Sequence, residues 1–292
     1  KIQPGSQLAN IPLKDLRLPQ DVLAGLIFRN NRMIIPHGDD YLLPHDNTFF
    51  VGASGEIEKF SKHFVGTGIK APERVMIIGA GRTGRTLAKM LDKQGVQVKV
   101  IEKDAERSRM VAERIEEGIV VRGDGTDIDL LTQEGVGEAD VVICLTADDK
   151  LNLMLALLAK HLGAARTIVR VARIEYVDLM EKVGVDIVLS SRLLAAGEIL
   201  AFARRGGVVS VALLEGAKAE AMEVIVQKGS YVENKKLMDL QLPKECLICA
   251  FVRDDEAFVP TGQSSLQAGD RAILFIRMEF ANKVMKYFAG KA

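Results

Sequence analysis

Residues 74–104, RVMIIGAGRTGRTLAKMLDKQGVQVKVIEKD, place a glycine-rich turn between an apolar run and a helical stretch, and a second apolar run follows. In a turn of this spacing, Gly79 permits the tight bend, Gly81 lets the backbone approach phosphate, and Gly84 lets the helix pack closely on the sheet. The free N–H groups and the dipole at the start of that helix favour an anionic pyrophosphate. The turn residues predicted to hold phosphate are Gly79, Ala80, Gly81, Arg82, Thr83 and Gly84.

The second apolar run ends in an acidic residue, Glu102, which is followed by Lys103. A carboxylate at the end of this strand accepts both ribose hydroxyls of adenosine and repels a 2′-phosphate. The sequence therefore predicts an adenine nucleotide site that favours NAD(H) over NADP. ATP and ADP carry the same adenosine and remain alternatives.

Apolar runs and helical stretches alternate from residue 74 to about residue 190. This alternation is typical of βαβ units, and six strands match a Rossmann-like, doubly wound parallel sheet of the α/β class. The predicted strands are residues 75–79, 96–102, 118–123, 140–146, 167–172 and 185–190.

Further candidate ligand contacts follow the third and fourth predicted strands. Asp124, Gly125 and Thr126 are expected near the adenine, and Thr146 and Ala147 near the phosphates and the second ribose. Ordinary helix capping explains these polar residues equally well, and both interpretations stay open. Arg82 has two alternatives as well, because it either neutralises phosphate charge or is a solvated residue at a helix start.

An internal repeat brackets the nucleotide-binding segment. Residues 6–64 and 230–288 align without a gap at a constant offset of 224, and each copy predicts a small α+β module. The second copy opens with a strand pair near Val208, whereas the matching start of the first copy would precede Lys1. We therefore expect the natural protein to extend upstream.

The repeat divides the chain into four predicted segments. Residues 1–66 are one module, truncated at its start, and residues 73–190 are the nucleotide-binding domain. Residues 191–207 form a connecting helix with a possible hinge at its end, and residues 208–292 form the second module.

Composition argues against several classes of protein. The 292 residues carry 39 basic and 39 acidic side chains, so the chain lacks the basic surface that nucleic acid binding requires. No apolar run approaches the roughly 18 residues of a membrane span. The three cysteines do not form a disulfide framework, and Cys246 and Cys249 are interpreted as core residues of a strand. No metal site and no catalytic residue are predicted.

Taken together, these motifs resemble the RCK family, the regulators of K⁺ conductance, whose domains are also called KTN or TrkA-N and TrkA-C. The resemblance rests on VMIIGAGRTGRTLAKML, VIEKD, GDGTD and LTADDKLNLMLALLAK, and on the GS…LP…P-x-G…GD pattern in each flank. It covers essentially the whole chain. One departure is Gly125, where the family leads us to expect a small residue such as alanine.

The resemblance implies a cytoplasmic regulator, peripheral on the inner face of the cell membrane, that forms homo-oligomers through its RCK domains. Its partner would be a membrane-embedded potassium-translocating subunit of the Trk or Ktr type, and bound NAD(H), ATP or ADP would shift its conformation. Two alternatives remain. One is an NAD-dependent oxidoreductase whose catalytic residues lie in a missing N-terminal part, and the other is a nucleotide-sensing scaffold for a different partner.

Overall fold

A computed structural model describes residues 1–19, 21–30, 32–65, 71–204 and 207–290. The strands are β1 (Val22–Arg29), β2 (Arg32–Ile34), β3 (Asn47–Gly52), β4 (Arg74–Ile78), β5 (Gln97–Glu102), β6 (Ile119–Arg122), β7 (Val141–Cys144), β8 (Thr167–Val171), β9 (Ile187–Ser190), β10 (Val208–Leu214), β11 (Ala219–Ile225), β12 (Cys246–Arg253), β13 (Glu256–Phe258) and β14 (Arg271–Arg277). The α-helices are α1 (Ser54–Phe60), α2 (Arg82–Lys93), α3 (Ala105–Ala112), α4 (Ile128–Gln133), α5 (Asp149–His161), α6 (Val177–Val183), α7 (Ser191–Ala203) and α8 (Ala281–Phe288).

The chain divides into two compact units, one of which comprises residues 71–194. This unit contains a six-stranded parallel sheet in the order β6-β5-β4-β7-β8-β9, which is the doubly wound order predicted from the sequence. Apolar side chains cover both faces of the sheet. Ile78 and Ile101 pack on one face with Leu155, whereas Ile77 and Val100 pack on the other. All six predicted strands are present, and the predicted fold class is confirmed.

The other unit comprises residues 1–70 and 195–292 and contains both copies of the repeat. The first copy forms a three-stranded sheet in the order β2-β1-β3, and the second forms a five-stranded sheet in the order β10-β11-β14-β12-β13. Equivalent strands follow the offset of the repeat, and each copy ends in a helix. The same irregularity interrupts both long strands, between Ala24 and Leu26 in β1 and between Ile248 and Ala250 in β12.

The two copies also share a half-buried ion pair. Arg29 donates to Asp46, with Nη2 2.8 Å from Oδ2, and Arg253 donates to Asp270 at 2.7 Å between the same atoms. Both carboxylates are almost fully buried, with 2% and 3% of the side chain exposed, and each also accepts a backbone N–H three residues upstream. The two copies of the repeat, inferred from the sequence alignment, thus share individual hydrogen bonds as well.

Packing between the two copies buries an apolar cluster. Leu26 and Phe28 of the first copy contact Cys249 and Phe275 of the second. Gly25 lies against the ring of Phe275, and a Cβ added at Gly25 would be only 2.6 Å from that ring. A glycine in the first copy therefore accommodates a large side chain in the second.

The predicted connecting helix is α7, which ends at Ala203 rather than at residue 207. Immediately after it, Arg204 pairs with Glu220 of β11, whose side chain is fully buried. Close packing of this helix on β10 needs Gly197, because a Cβ there would lie 2.6 Å from the carbonyl oxygen of Val211. Of the predicted hinge, Arg205 and Gly206 lie outside the described residues. No helix among the described residues is long and apolar enough to cross a membrane.

Candidate functional site: a cleft at the carboxyl edge of the parallel sheet

A cleft of about 550 Å³ opens at the carboxyl ends of the parallel strands, where ligands of doubly wound folds bind. Its volume lies within the range of small-molecule sites. The sequence-predicted residues that line it are Gly79, Gly81, Arg82, Thr83, Glu102, Lys103, Asp124, Gly125, Thr126, Thr146 and Ala147. Ala80 and Gly84 were also predicted to bind the ligand, but both are buried beside the cleft.

The glycine turn brings the start of α2 to the cleft. Gly79 has a φ of +107° and packs on the peptide between Leu145 and Thr146, where an added Cβ would lie 3.0 Å from backbone atoms. Gly84 touches the turn itself, since its added Cβ would lie 2.1 Å from the carbonyl oxygen of Gly79. At Gly81 an added Cβ would meet open space, and no side chain caps the helix. The first N–H groups of α2 are thus free to meet an anion.

Glu102 ends β5 and points its carboxylate back at the glycine turn. Its Oε2 accepts the N–H of Ala80 at 2.6 Å, and its Oε1 accepts the N–H of Asp104 at 3.0 Å. The residue is only 6% exposed, yet it lines the cleft. Each carboxylate oxygen can accept a second hydrogen bond. Glu102 can therefore hold the turn and bind ribose hydroxyls at the same time.

The loop after β6 is shaped by Asp124, which accepts both the backbone N–H and the hydroxyl of Thr126 at 2.9 Å. These hydrogen bonds hold the pKa of Asp124 below its usual value, the backbone donor having the larger effect. Next to it, an added Cβ at Gly125 would lie 2.5 Å from Cγ2 of Ile78. The departure noted at Gly125 is therefore explained by the neighbouring Ile78, which leaves no room for an alanine.

The loop after β7 is held by a fully buried amide, Asn152 of α5. Its Oδ1 accepts the N–H and the hydroxyl of Thr146 at 2.8 and 2.6 Å, and its Nδ2 donates to the carbonyls of Thr146 and Arg170 at 3.1 and 3.0 Å. Asp148 caps α5 by accepting the N–H groups of Leu151 and Lys150, which lower its pKa. One helix thus positions the loop that contacts the glycine turn.

Sequence reasoning missed two basic residues of the cleft, Arg107 of α3 and Arg170 of β8. A signal for Arg170 was present, because a charged residue near the carboxyl end of a buried parallel strand is unusual. No comparable signal marks Arg107, which lies on a helix with two other charged residues, Glu106 and Arg109. Apolar side chains also line the cleft, namely Ile78, Ile101, Leu145, Leu151 and Leu155.

The described lining of the cleft contains no histidine, cysteine or tyrosine, and its titratable side chains are acidic or basic ones such as Glu102, Lys103 and Asp124. The cysteines lie in the cores, where burial raises the pKa of the Cys144, Cys246 and Cys249 thiols to about 12. Cys246 and Cys249 pack in different apolar clusters, as expected for core residues of one strand. Within the described ranges, no group of histidine, cysteine and acidic side chains could hold a metal ion.

Comparison with known proteins identifies the same domains. The TrkA-N domain family matches residues 75–191, and the TrkA-C domain family matches residues 1–65 and 221–289. Among solved structures, the GsuK channel bound to NAD superposes over 97% of this chain and 51% of the channel chain. Its TM-score is 0.50 at 22% sequence identity, which supports the fold.

Several curated relatives have similar sequences. Trk system potassium uptake protein TrkA homolog 2 of Methanosarcina mazei is 36% identical over 290 residues, covering 98% of this chain and 64% of the relative. The TrkA homolog of Archaeoglobus fulgidus is 35% identical, with 99% and 65% covered, and TrkA of Vibrio alginolyticus is 33% identical, with 88% and 56% covered. The chain thus spans less than two thirds of the length of these relatives. With two TrkA-C matches around one TrkA-N match, the chain belongs to the family of proteins built from TrkA-N and TrkA-C domains.

Proposed function

We propose that this chain is a nucleotide-binding regulatory part of a potassium transport system, in which an adenine nucleotide in the cleft acts as a signal. The observation that carries the proposal is the pairing of Glu102 with the uncapped start of α2 across one cleft. A carboxylate for ribose and free N–H groups for phosphate are the two contacts that adenosine phosphates require. The names of the relatives supply the link to potassium uptake.

The ligand that we propose is NAD(H), with ATP or ADP as alternatives. Buried Glu102 disfavours a 2′-phosphate, which argues against NADP. The GsuK channel, whose fold is shared, has been solved with NAD bound. In this chain, the start of α2 would hold phosphate, Glu102 the adenosine ribose, and the Asp124–Thr126 loop the adenine.

Regulation requires only that the nucleotide binds two conformations with different affinities. A coupling of about 1–3 kcal/mol between sites is typical and changes an affinity roughly five- to 150-fold. We propose the limits 1–66, 73–190 and 208–292 for the domains, with residues 191–207 as the connection. The partner would be a membrane-embedded potassium-translocating subunit, and the chain would form homo-oligomers on the inner face of the cell membrane.

Catalysis is not part of this proposal. A dehydrogenase needs an acid or base placed against the nicotinamide, and the described lining of the cleft has no histidine, cysteine or tyrosine. Its carboxylates, at Glu102, Asp124 and Asp148, already accept nearby backbone N–H groups. The nucleotide would therefore leave the cleft unchanged.

Titration calorimetry with NAD, NADH, ADP and ATP, combined with an assay of nucleotide turnover, tests the proposal. Binding with micromolar or tighter affinity and no conversion over hours is expected. Steady oxidation of NADH or hydrolysis of ATP by the purified protein would contradict the regulatory role. Failure of all four nucleotides to bind would remove the cleft as a nucleotide site.

A further inference from the structure

We infer that Arg170 is the residue that distinguishes adenine nucleotides by their phosphate number, because its guanidinium binds a phosphate beyond the one held by the glycine turn. This inference rests on the proposed function, since it concerns the same cleft. Arg170 would supply a charged contact that the glycine turn, Glu102 and the Asp124–Thr126 loop do not.

The first observation is that Arg170 is a half-buried cation without a carboxylate partner in the described part of the chain. Its Nη2 donates to the carbonyl oxygen of Thr146 at 3.1 Å, and its buried Nε has no hydrogen-bond partner. Leaving a buried donor unpaired carries a free-energy cost, which is larger for a charged donor. An anion in the cleft would remove this cost.

The second observation is where the guanidinium lies. In the sheet, β8 is separated from β4 by β7, so the backbone of Arg170 lies about 10 Å from the strand that leads into the glycine turn. The bond to Thr146 brings the guanidinium back to the end of β7, next to the turn. Gly79 packs against the preceding peptide, between Leu145 and Thr146. The guanidinium therefore lies on the β7 side of the glycine turn and lines the same cleft.

The third observation is that the backbone of Arg170 and the loop that its guanidinium contacts are held together. Asn152 donates to the carbonyl of Arg170 and also holds the backbone and hydroxyl of Thr146, so the strand and the loop are tied to one buried amide. A guanidinium that is held in place loses little rotational freedom on binding. Its planar N–H groups match phosphate oxygens better than an ammonium does.

The ligand class follows from charge and position. The glycine turn accounts for one phosphate, and Glu102 and the Asp124 loop account for adenosine. A further anionic group on the β7–β8 side would be the second phosphate of ADP or ATP, or of the dinucleotide NAD. Adenosine has no such group, and the single phosphate of AMP would remain at the glycine turn.

The test compares Arg170→Gln with wild-type protein by calorimetry, using adenosine, AMP, ADP and NAD as probes. Loss of one charged hydrogen-bonding contact should weaken ADP and NAD about ten- to a hundredfold, while adenosine and AMP change less than about twofold. The matched control is Arg173→Gln. Arg173 follows the same strand, β8, but its side chain is exposed and lies over the ring of Tyr176. It is not among the residues that line the cleft.

A second measurement uses the wild-type chain, so it does not depend on the folding of Arg170→Gln. The ¹⁵N–¹H signal of the Arg170 Nε, assigned by its absence in Arg170→Lys, should shift on addition of ADP and stay in place with adenosine. If Arg170→Gln loses the same affinity for all four probes, or if the Nε signal does not shift on addition of ADP, Arg170 only supports Thr146 and the inference is wrong. If wild-type protein binds no probe at all, the proposed function fails and this inference fails with it.

Discussion

The two compact units place arginine side chains in different surroundings. In the paired modules, Arg29, Arg253 and Arg204 each meet a buried carboxylate. In the nucleotide-binding unit, Arg82 and Arg170 face a cleft and have no carboxylate partner in the part of the chain that the structure describes. Internal pairing serves stability, whereas an unpaired cation beside a cleft is available to a ligand. Substitutions in the unit that contains the paired modules should therefore change stability, and those in the nucleotide-binding unit should change affinity.

The largest expected effect comes from removing the repeated ion pair. Asp46→Ala and Asp270→Ala each leave a half-buried guanidinium and a backbone N–H unpaired, which should lower the free energy of unfolding by about 3 kcal/mol. Urea denaturation measures this loss. Nucleotide affinity at temperatures where the variants remain folded should equal that of the wild type, and a marked loss of affinity would break the comparison.

The same pair makes stability depend on pH. Burial raises the pKa of Asp270, but the hydrogen bonds from Arg253 and from the N–H of Gln267 outweigh it, so the pKa lies below its usual value. Because the folded pKa is depressed, this carboxylate contributes stability above about pH 4, and the contribution disappears as the pH falls further. When the pH is lowered below about 4, the free energy of unfolding should therefore fall less in Asp270→Ala than in the wild type.

A smaller loss of stability is expected where the two copies meet. Gly25→Ala introduces a Cβ 2.6 Å from the ring of Phe275, and overpacking of this kind costs about 1–3 kcal/mol. Phe275→Val gives the second copy the side chain that the first copy has at Val51 and should recover part of the loss in the double variant. Additive losses in a double-mutant cycle would show that these two positions do not press on each other.

For the nucleotide-binding unit, the strongest prediction concerns Glu102. Glu102→Ala removes the proposed ribose acceptor and releases the N–H of Ala80, so affinity for NAD or ADP should fall tenfold or more. Glu106→Ala, at an exposed position of α3 outside the cleft, serves as the control. If calorimetry shows unchanged affinity in Glu102→Ala, Glu102 does not bind the nucleotide.

The smallest expected effect belongs to Arg82, which is exposed at the start of α2. Arg82→Ala should weaken ATP by no more than about fivefold, because exposed ion pairs contribute at most about 1 kcal/mol, and adenosine should be unaffected. Lys89→Ala on the exposed face of the same helix controls for net charge. Equal losses for ATP and adenosine would show that Arg82 has a structural role only.

The sequence predicted those features that depend on local periodicity or on the repeat. The six parallel strands follow from alternating apolar runs, and the matching strands of the two modules follow from the constant offset of the repeat. The sequence shows that Arg29 and Asp46 recur as Arg253 and Asp270, but only the structure shows that they pair. The roles of Asn152 and Arg170 could not be predicted, since they depend on which strands are neighbours and on where a loop carbonyl points. The helix α7 ends at Ala203, before the predicted end at residue 207, and Arg204 after it pairs with Glu220, a contact that the sequence did not indicate.

The central claim is that the cleft between Gly79 and Glu102 holds an adenine nucleotide that is bound without being consumed. Native mass spectrometry of the purified protein, before and after addition of NAD or ADP, tests this most directly. The account predicts a mass increase equal to one intact nucleotide per chain, which persists on incubation and is reduced in Glu102→Ala. A protein that gains no nucleotide mass, or one that accumulates a converted product, would contradict it.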